Sequence, residues 1–361
     1  RTYDQVFGDI PRADGDPSLV LFGENVTPNE HAIVRRFGIF DRTFCDAQVS
    51  ADGHQWSTGA IATDYVEKMW QADYAHPYRR PFYDFESPIS PGRPHAGYLW
   101  DDALNAGVSI RNYGEFVDLK AAFFHWKGTK AFVAHTDSRY PGYTFAVSDL
   151  DREAEWEREF RAYERNGNLP ALEVIRLPND HTQGTKRDTL TPQAYVAQND
   201  FALGKLIARV SHSRYWKSTA IFVIEDDAQD GPDHVDEHRT TFMLASPYAR
   251  GGVQHTMYTT AAVLRTIELI LGLPPMTTFD ARATPLYAAF RNEADTRAFD
   301  ALPPKIDIQA KNTKAAYRSR EAGKLDFRHA DAVDEATMND MLWHAVKGAR
   351  ATPPPYGKFP S

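Results

Sequence analysis

The sequence predicts an α/β protein, with a mostly parallel sheet covered by helices on both faces and loop insertions between the elements. Two observations carry this. Short apolar runs alternate with helix-period segments over most of the chain, the pattern of strand–helix–strand units. The apolar run 220–224 (Ala-Ile-Phe-Val-Ile) is followed at once by Glu225, Asp226 and Asp227. An uninterrupted apolar strand is one buried on both faces, and open α/β sheets bind ligands beyond the carboxyl ends of their strands.

Taken in order, residues 1–30 are turn-rich, with Gly8, Pro11, Gly15, Pro17 and Pro28. Asn29 to Phe40 reads as a helix with Asn29 as N-cap and Ile33, Val34 and Phe37 on one face. Residues 41–49 form a strand and its lead-in. From about Gly53, Trp56, Ala60, Thr63, Val66 and Trp70 share a helical face. Ser50 therefore falls on the turn between a strand and a helix N-terminus, where free N–H groups favour an anion. Residues 71–104, dense in Pro, Tyr, Arg and His, read as an excursion over the active face. In it Tyr78, Arg79, Arg80, Tyr83 and Trp100 either meet a substrate or pack a lid. A strand at 106–113 precedes a second excursion, 115–168, with a charged helix over 149–164. Leu169–Leu177 is a strand that leads into Asn179, Asp180 and His181. Thr191-Pro192 opens a helix running to about Val210. Strands follow at 219–224 and 240–246, then an amphipathic helix over 259–271 ended by Gly272. The division is a core over 1–295 and a polar, Pro-bearing extension, 296–361, wrapped on it.

Composition narrows the function. A net charge of −8 argues against nucleic acid, whose phosphates need a basic face. The single cysteine, Cys45, sits in an apolar context and reads as a buried, inert thiol. There is no apolar run of about eighteen residues to span a membrane and no signal peptide. The opening without a methionine reads as a piece of a longer protein.

Three strand ends carry chemistry: Ser50, the pair Asp180 and His181, and Glu225-Asp226-Asp227 with His234 behind. Adjacent carboxylates repel unless a hard divalent cation neutralises them. Such an ion beside a hydroxyl suits phosphoryl or sulfuryl transfer, with histidine serving the leaving oxygen. His54, one helical turn past Ser50, points toward the same pocket or makes a structural hydrogen bond. Ser50 is otherwise a helix cap, and His234 ligates the ion, orients Asp227 or caps its turn. One divalent ion fits the set, whether Ca²⁺, Mg²⁺, Mn²⁺ or, with histidine participation, Zn²⁺.

These motifs resemble a known family. Arg1-Thr-Tyr-Asp-Gln-Val-Phe-Gly8, Val49 to Ser57, Leu177 to Thr182, Glu225 to Val235 and Ser246 to Arg250 are similar to motifs of the phosphoesterase family. This family holds phospholipase C and acid phosphatase (AcpA-like) enzymes of the alkaline phosphatase superfamily. The resemblance implies a three-layer α/β/α sandwich, Ser50 as nucleophile through a phosphoserine, Asp226 and Asp227 as metal ligands, and His181 against the transferred group. Two departures stand out. The family's Glu-Asn, which helps hold the metal, precedes the position of Arg1 and is absent here. Met257-Tyr-Thr-Thr260 replaces a histidine of the two-metal relatives, which implies one metal. The resemblance also implies a bacterial periplasmic or secreted protein, in a branch often preceded by a β-propeller-like region. The expected function is metal-dependent hydrolysis of a small phosphorylated substrate. The rivals are sulfate or phosphonate ester hydrolysis, a phosphomutase, and a non-catalytic surface or binding protein that has lost part of its metal site.

Overall fold

A computed structural model describes residues 1–75, 90–120, 123–126, 130–327 and 332–354. Tyr78, Arg79, Arg80 and Tyr83 lie outside this set.

The chain opens with a buried turn of helix, α1 (Tyr3–Phe7), and then α2 (Pro28–Phe37), which begins on a proline and ends at Gly38 with φ +116°. That left-handed conformation stops the predicted helix before residue 40. Strands β1 (Ile39–Phe40) and β2 (Thr43–Phe44) lead to α3 (Ser50–Gly59). The single predicted helix through Trp70 is two helices. Ala60 is left-handed at φ +54° and closes α3, and α4 (Asp64–Ala75) starts afresh.

Next come α5 (Leu99–Asn105), β3 (Ile110–Tyr113), the hairpin of β4 (Val117–Lys120) with β5 (Phe123–Trp126), and α6 (Lys130–Ala134). The long α7 (Asp149–Asn166) is capped by Ser148 and ended by left-handed Gly167. Its charged sequence hides an inward stripe, with Arg152, Glu153, Trp156 and Phe160 all buried. After β6 (Leu172–Ile175), α8 (Pro192–Ser211) starts as Thr191-Pro192 predicts: the Thr191 hydroxyl accepts from the Ala194 N–H at 3.2 Å. Strands β7 (Ile221–Ile224), β8 (Phe242–Ala245), β9 (Val253–Gln254) and β10 (Tyr258–Thr259) precede α9 (Thr260–Leu271). Short helices α10 (Thr278–Arg282) and α11 (Ser319–Ala322), then α12 (Glu335–Lys347), complete the chain.

The parallel pairs are β1 with β9, β2 with β10, and β3 with β6. Within this mostly parallel arrangement β8 is an exception, running antiparallel to β7. An apolar run reads alike in either direction, so its composition carries no sign of polarity. One helical layer, with Ile33 and Val34 of α2, Phe160 of α7 and Leu206 of α8, forms the larger core. On the opposite side Leu99 and Ala103 of α5 pack with Leu264 of α9 and with Leu172. Along β6, Leu172 and Val174 face this second cluster while Ile175 packs against the first. The architecture is therefore helix, sheet, helix. Trp100 stacks on Phe132 with centroids 4.0 Å apart, inside the second cluster, so it packs the fold.

The extension after residue 295 is woven into the larger core. Phe299, Phe327 and Trp343 are buried in it. Asn29 Nδ2 donates to the Leu302 carbonyl at 3.0 Å and the Leu302 N–H donates back to Asn29 Oδ1 at 2.7 Å.

Candidate active site

The carboxyl ends of β6 and β7 and the first turn of α3 meet around a cavity of about 200 Å³. Ser50 is the first residue of α3. Asp52, one half-turn later, folds back so that its carboxylate accepts from the N–H groups of Gln48 (3.1 Å) and Val49 (2.9 Å), which fixes the turn. Gly53 lets this turn press on the end of β7, for a methyl group there would sit 2.7 Å from the Asp226 carbonyl oxygen. The result is contact: the Ser50 hydroxyl donates to Asp227 Oδ2 at 2.5 Å.

Asp226 lies alongside, with its Oδ2 3.3 Å from His54 Nε2. That buried oxygen has no hydrogen-bond partner among the described residues. His54 Nδ1 is 2.8 Å from Glu115 Oε1, and His54 Nε2 is 2.8 Å from Arg176 Nη2. Burial, the largest influence, and Arg176 both oppose a charged imidazole. Glu115 and Asp226 outweigh them and raise His54 to about 9. Burial also resists ionisation of Asp226, but His54, Arg176 and the Ser50 hydrogen bond bring it below the usual carboxylate value. Asp180 goes the other way. Burial and then repulsion by Glu225 push it to about 8 despite Arg1.

Seven of the eight expected site residues line this cavity: Ser50, His54, Asp180, His181, Glu225, Asp226 and Asp227. Two are not placed as metal ligands beside Ser50. Glu225 turns to Arg1, whose Nη2 donates at 3.1 Å, and accepts from Thr241 at 3.2 Å. His234 is in a separate cluster, 2.6 Å from Asp4 Oδ2 and 3.2 Å from Asp14 Oδ1. Arg239 neutralises that cluster through Asp4 and Asp233. His181 is half-buried, edge-on to Tyr143 and Phe145. Glu115, Arg176, Asp52 and Arg1 escape a sequence reading. Of these, Arg176 carries a signal, a lone cation at the end of an apolar strand.

The donors present fit a hard divalent cation: two adjacent carboxylates, a hydroxyl bonded to one, and a buried carboxylate oxygen that makes no hydrogen bond among the described residues. A hydroxyl held on carboxylates at the strand ends of an α/β sheet is an arrangement that ester hydrolysis can use. The chain belongs to the Phosphoesterase family, whose model matches residues 2–274. Among curated proteins no sequence matches it. Similar solved structures include a protein in the alkaline phosphatase superfamily from Vibrio parahaemolyticus, 17% identical with a TM-score of 0.47, the match covering 71% of this chain and 64% of that one. The lipoteichoic acid synthase LtaP from Listeria monocytogenes is 12% identical with a TM-score of 0.45, over 89% and 85% of the two chains. Ps i-CgsB is 11% identical with a TM-score of 0.43, over 82% and 75%.

Proposed function

We propose that the chain is a metal-dependent hydrolase of small phosphoric esters, a phosphatase, phosphodiesterase or phospholipase C-like enzyme, working through a phosphoserine at Ser50. The observation that carries this is the 2.5 Å contact between the Ser50 hydroxyl and Asp227, beside the Asp226 Oδ2, which makes no hydrogen bond among the described residues and lies 3.3 Å from His54.

Asp226, Asp227 and the Ser50 oxygen would hold the ion, which when bound neutralises the transferred group and eases loss of the hydroxyl proton. The Ser50 oxygen attacks phosphorus and its proton passes to Asp227. The Oγ–P bond forms as the bond from phosphorus to the leaving oxygen breaks. The N-terminal end of α3, with its positive dipole, would face the non-bridging oxygens. His181 and Asp180, both lining the cavity and the latter kept protonated near neutrality by its burial, would give the leaving oxygen its proton. Water then cleaves the Oγ–P bond, releasing phosphate and restoring the hydroxyl. His54 is clamped by Glu115 and Arg176, which aims it at Asp226. Among the described residues no helix is long and apolar enough to cross a membrane. A periplasmic or secreted location belongs to the same proposal.

The test is hydrolysis of p-nitrophenyl phosphate, bis-p-nitrophenyl phosphate and p-nitrophenyl sulfate by the full chain, with Mg²⁺, Ca²⁺, Mn²⁺ or Zn²⁺ supplied singly. Metal-dependent turnover of a phosphate ester, abolished by Ser50→Ala, is expected. Full activity in Ser50→Ala would remove the nucleophile, and turnover of the sulfate alone would change the substrate class.

A further inference from the structure

The loop that follows Asp227 is strained, and the group that holds it comes from the extension. Gln229 and Asp230 are consecutive non-glycine residues in the left-handed region, at φ +53° and +48°. A side chain there crowds its own backbone, so such a pair persists only where its surroundings impose it. On the site side, the Gln229 N–H donates to Asp227 Oδ1 at 2.8 Å. Gln48, two residues before Ser50, donates from Nε2 to Asp230 Oδ1 at 3.1 Å. On the opposite side, Asn339 of α12 donates through Nδ2 to the carbonyl oxygens of Gln229 at 2.8 Å and Asp230 at 3.1 Å. Both carbonyls only accept, so only the NH2 end of the amide can face them, and its two hydrogens serve one each. Successive residues in a helical sense of either hand point their carbonyls the same way, which is why one NH2 group reaches both.

Asn339 stands on a fixed base. It is 4% exposed, and its neighbours Met338 and Leu342 are buried in the larger core. Asp227, for its part, divides its carboxylate between two donors: Oδ2 takes the Ser50 hydroxyl and Oδ1 the Gln229 N–H. The orientation of that carboxylate therefore follows the position of the Gln229 amide.

We propose that Asn339 is a positioning residue for the hydrolysis: it holds the left-handed turn at Gln229 and Asp230, the turn presents the Gln229 N–H to Asp227, and Asp227 is thereby aimed at Ser50. This rests on the reading of Ser50 as nucleophile. Asn339 touches neither the substrate nor the reacting atoms. Without its NH2 group the two carbonyls turn to other partners and the backbone relaxes out of the left-handed region. The Gln229 N–H then leaves Asp227 Oδ1, and the carboxylate rotates away from the Ser50 hydroxyl for part of the time.

The test compares the full chain with Asn339→Ala, Asn339→Asp and Leu342→Ala. Asn339→Asp keeps the size of the side chain but sets an acceptor against two acceptors. Leu342→Ala loosens α12 from the core without touching the loop, and so controls for helix packing. Hydrogen exchange at the Gln229 amide is followed by NMR without added metal. Turnover of p-nitrophenyl phosphate is then measured well below each thermal midpoint, with the ion that best supports the parent chain in excess. Both Asn339 variants are expected to exchange the Gln229 amide on the order of 10-fold faster than the parent. Their kcat is expected to fall about 10-fold with KM within about 2-fold of the parent value. Leu342→Ala is expected to lower the thermal midpoint and keep the parent kcat and the parent exchange at Gln229. Parent kcat in both Asn339 variants overturns the proposal. So does an equal loss in Leu342→Ala, since activity would then follow helix stability. A fall in kcat with unchanged exchange at Gln229 breaks the link through Asp227 and overturns it as well. If the parent chain hydrolyses no phosphate ester, the hydrolase reading fails by itself. The exchange arm then decides whether Asn339 holds the Gln229 amide on Asp227, and unchanged exchange refutes it.

Discussion

At the scale of single residues, the site depends on how firmly Ser50 is aimed. Asp52 does this without touching the reacting atoms, because its carboxylate takes both N–H groups of the preceding turn. Asp52→Ala frees the turn, so kcat is expected to fall about 10-fold with KM nearly unchanged, since the binding groups stay in place. If only the unfolding midpoint moves, Asp52 is a stabilising cap and nothing more. Asp227→Asn keeps the shape but loses the charge that accepts the Ser50 proton and holds the cation. Metal content by atomic emission is expected to drop together with activity, by at least about 100-fold. Metal bound at the wild-type level would instead leave ion binding to other groups. Ser50, Asp226 and Asp227 are readable in the sequence because each lies at an abrupt switch from apolar strand to polar turn. Glu115 is not, because it reaches His54 only through a turn at Gly114, where φ is +90°. His234 lies with Asp4 and Asp233, whose ligand atoms could together hold an ion away from Ser50. It follows the acidic run closely, but Asp4, some 230 residues earlier, draws it away.

At the scale of elements, buried side chains from one segment finish the ends of another. Asp200 of α8 accepts from the Asn29 N–H at 3.2 Å, the Asn29 side chain at 2.8 Å and the Glu30 N–H at 2.7 Å, which caps α2 across the core. Asp200→Ala leaves those donors buried and unmatched, and urea unfolding is expected to show a loss of about 3 kcal/mol. A loss below about 1 kcal/mol would mean that water takes over the cap. The loop after β7 is tied to α1 by the pair His234–Asp4. Burial disfavours the charged imidazole, but the Asp4 hydrogen bond prevails and the His234 pKa is raised. A raised folded value means that the stabilisation is complete below the unfolded pKa, about 6.5, and fades as pH climbs through the folded value. The stability gap between wild type and His234→Gln is thus expected to be on the order of 1 kcal/mol at pH 5.5, small because the ring is partly exposed, and narrower at pH 9. A gap that widens with pH would reverse the assignment. Local signals gave these elements correctly where one residue dictates the backbone, as Thr191-Pro192 does for α8. They failed at Ala60, a non-glycine residue in the left-handed region, next to Gly59 where a side chain would press on Pro94 and Tyr98.

At the scale of the whole molecule, alternation of strands and helices gives the layer order, whereas strand direction and sheet continuity depend on contacts far apart in the chain. The polar average of residues 296–361 conceals anchors that decide where the tail goes. Phe299 packs beside Phe37, with ring centroids 6.3 Å apart, and its N–H donates to the Ser211 hydroxyl at 2.8 Å. Arg36 donates to the carbonyl of Ala298 at 2.6 Å and also to that of Arg297. Trp343 of α12 and Phe327 enter the same core as α2 and α8. An extension laid on a finished domain would leave that domain intact when removed. Here removal would expose Phe37, Val210 and their neighbours, and strip Asn29 of its partner at Leu302. Residues 1–295 alone are therefore expected to show no cooperative thermal transition and to bind a hydrophobic dye. In the full chain, Phe299→Ala is expected to cost about 3 kcal/mol in a single shared transition. A truncated chain that melts sharply, near the midpoint of the parent, would show that the tail is an accessory and that the core closes without it.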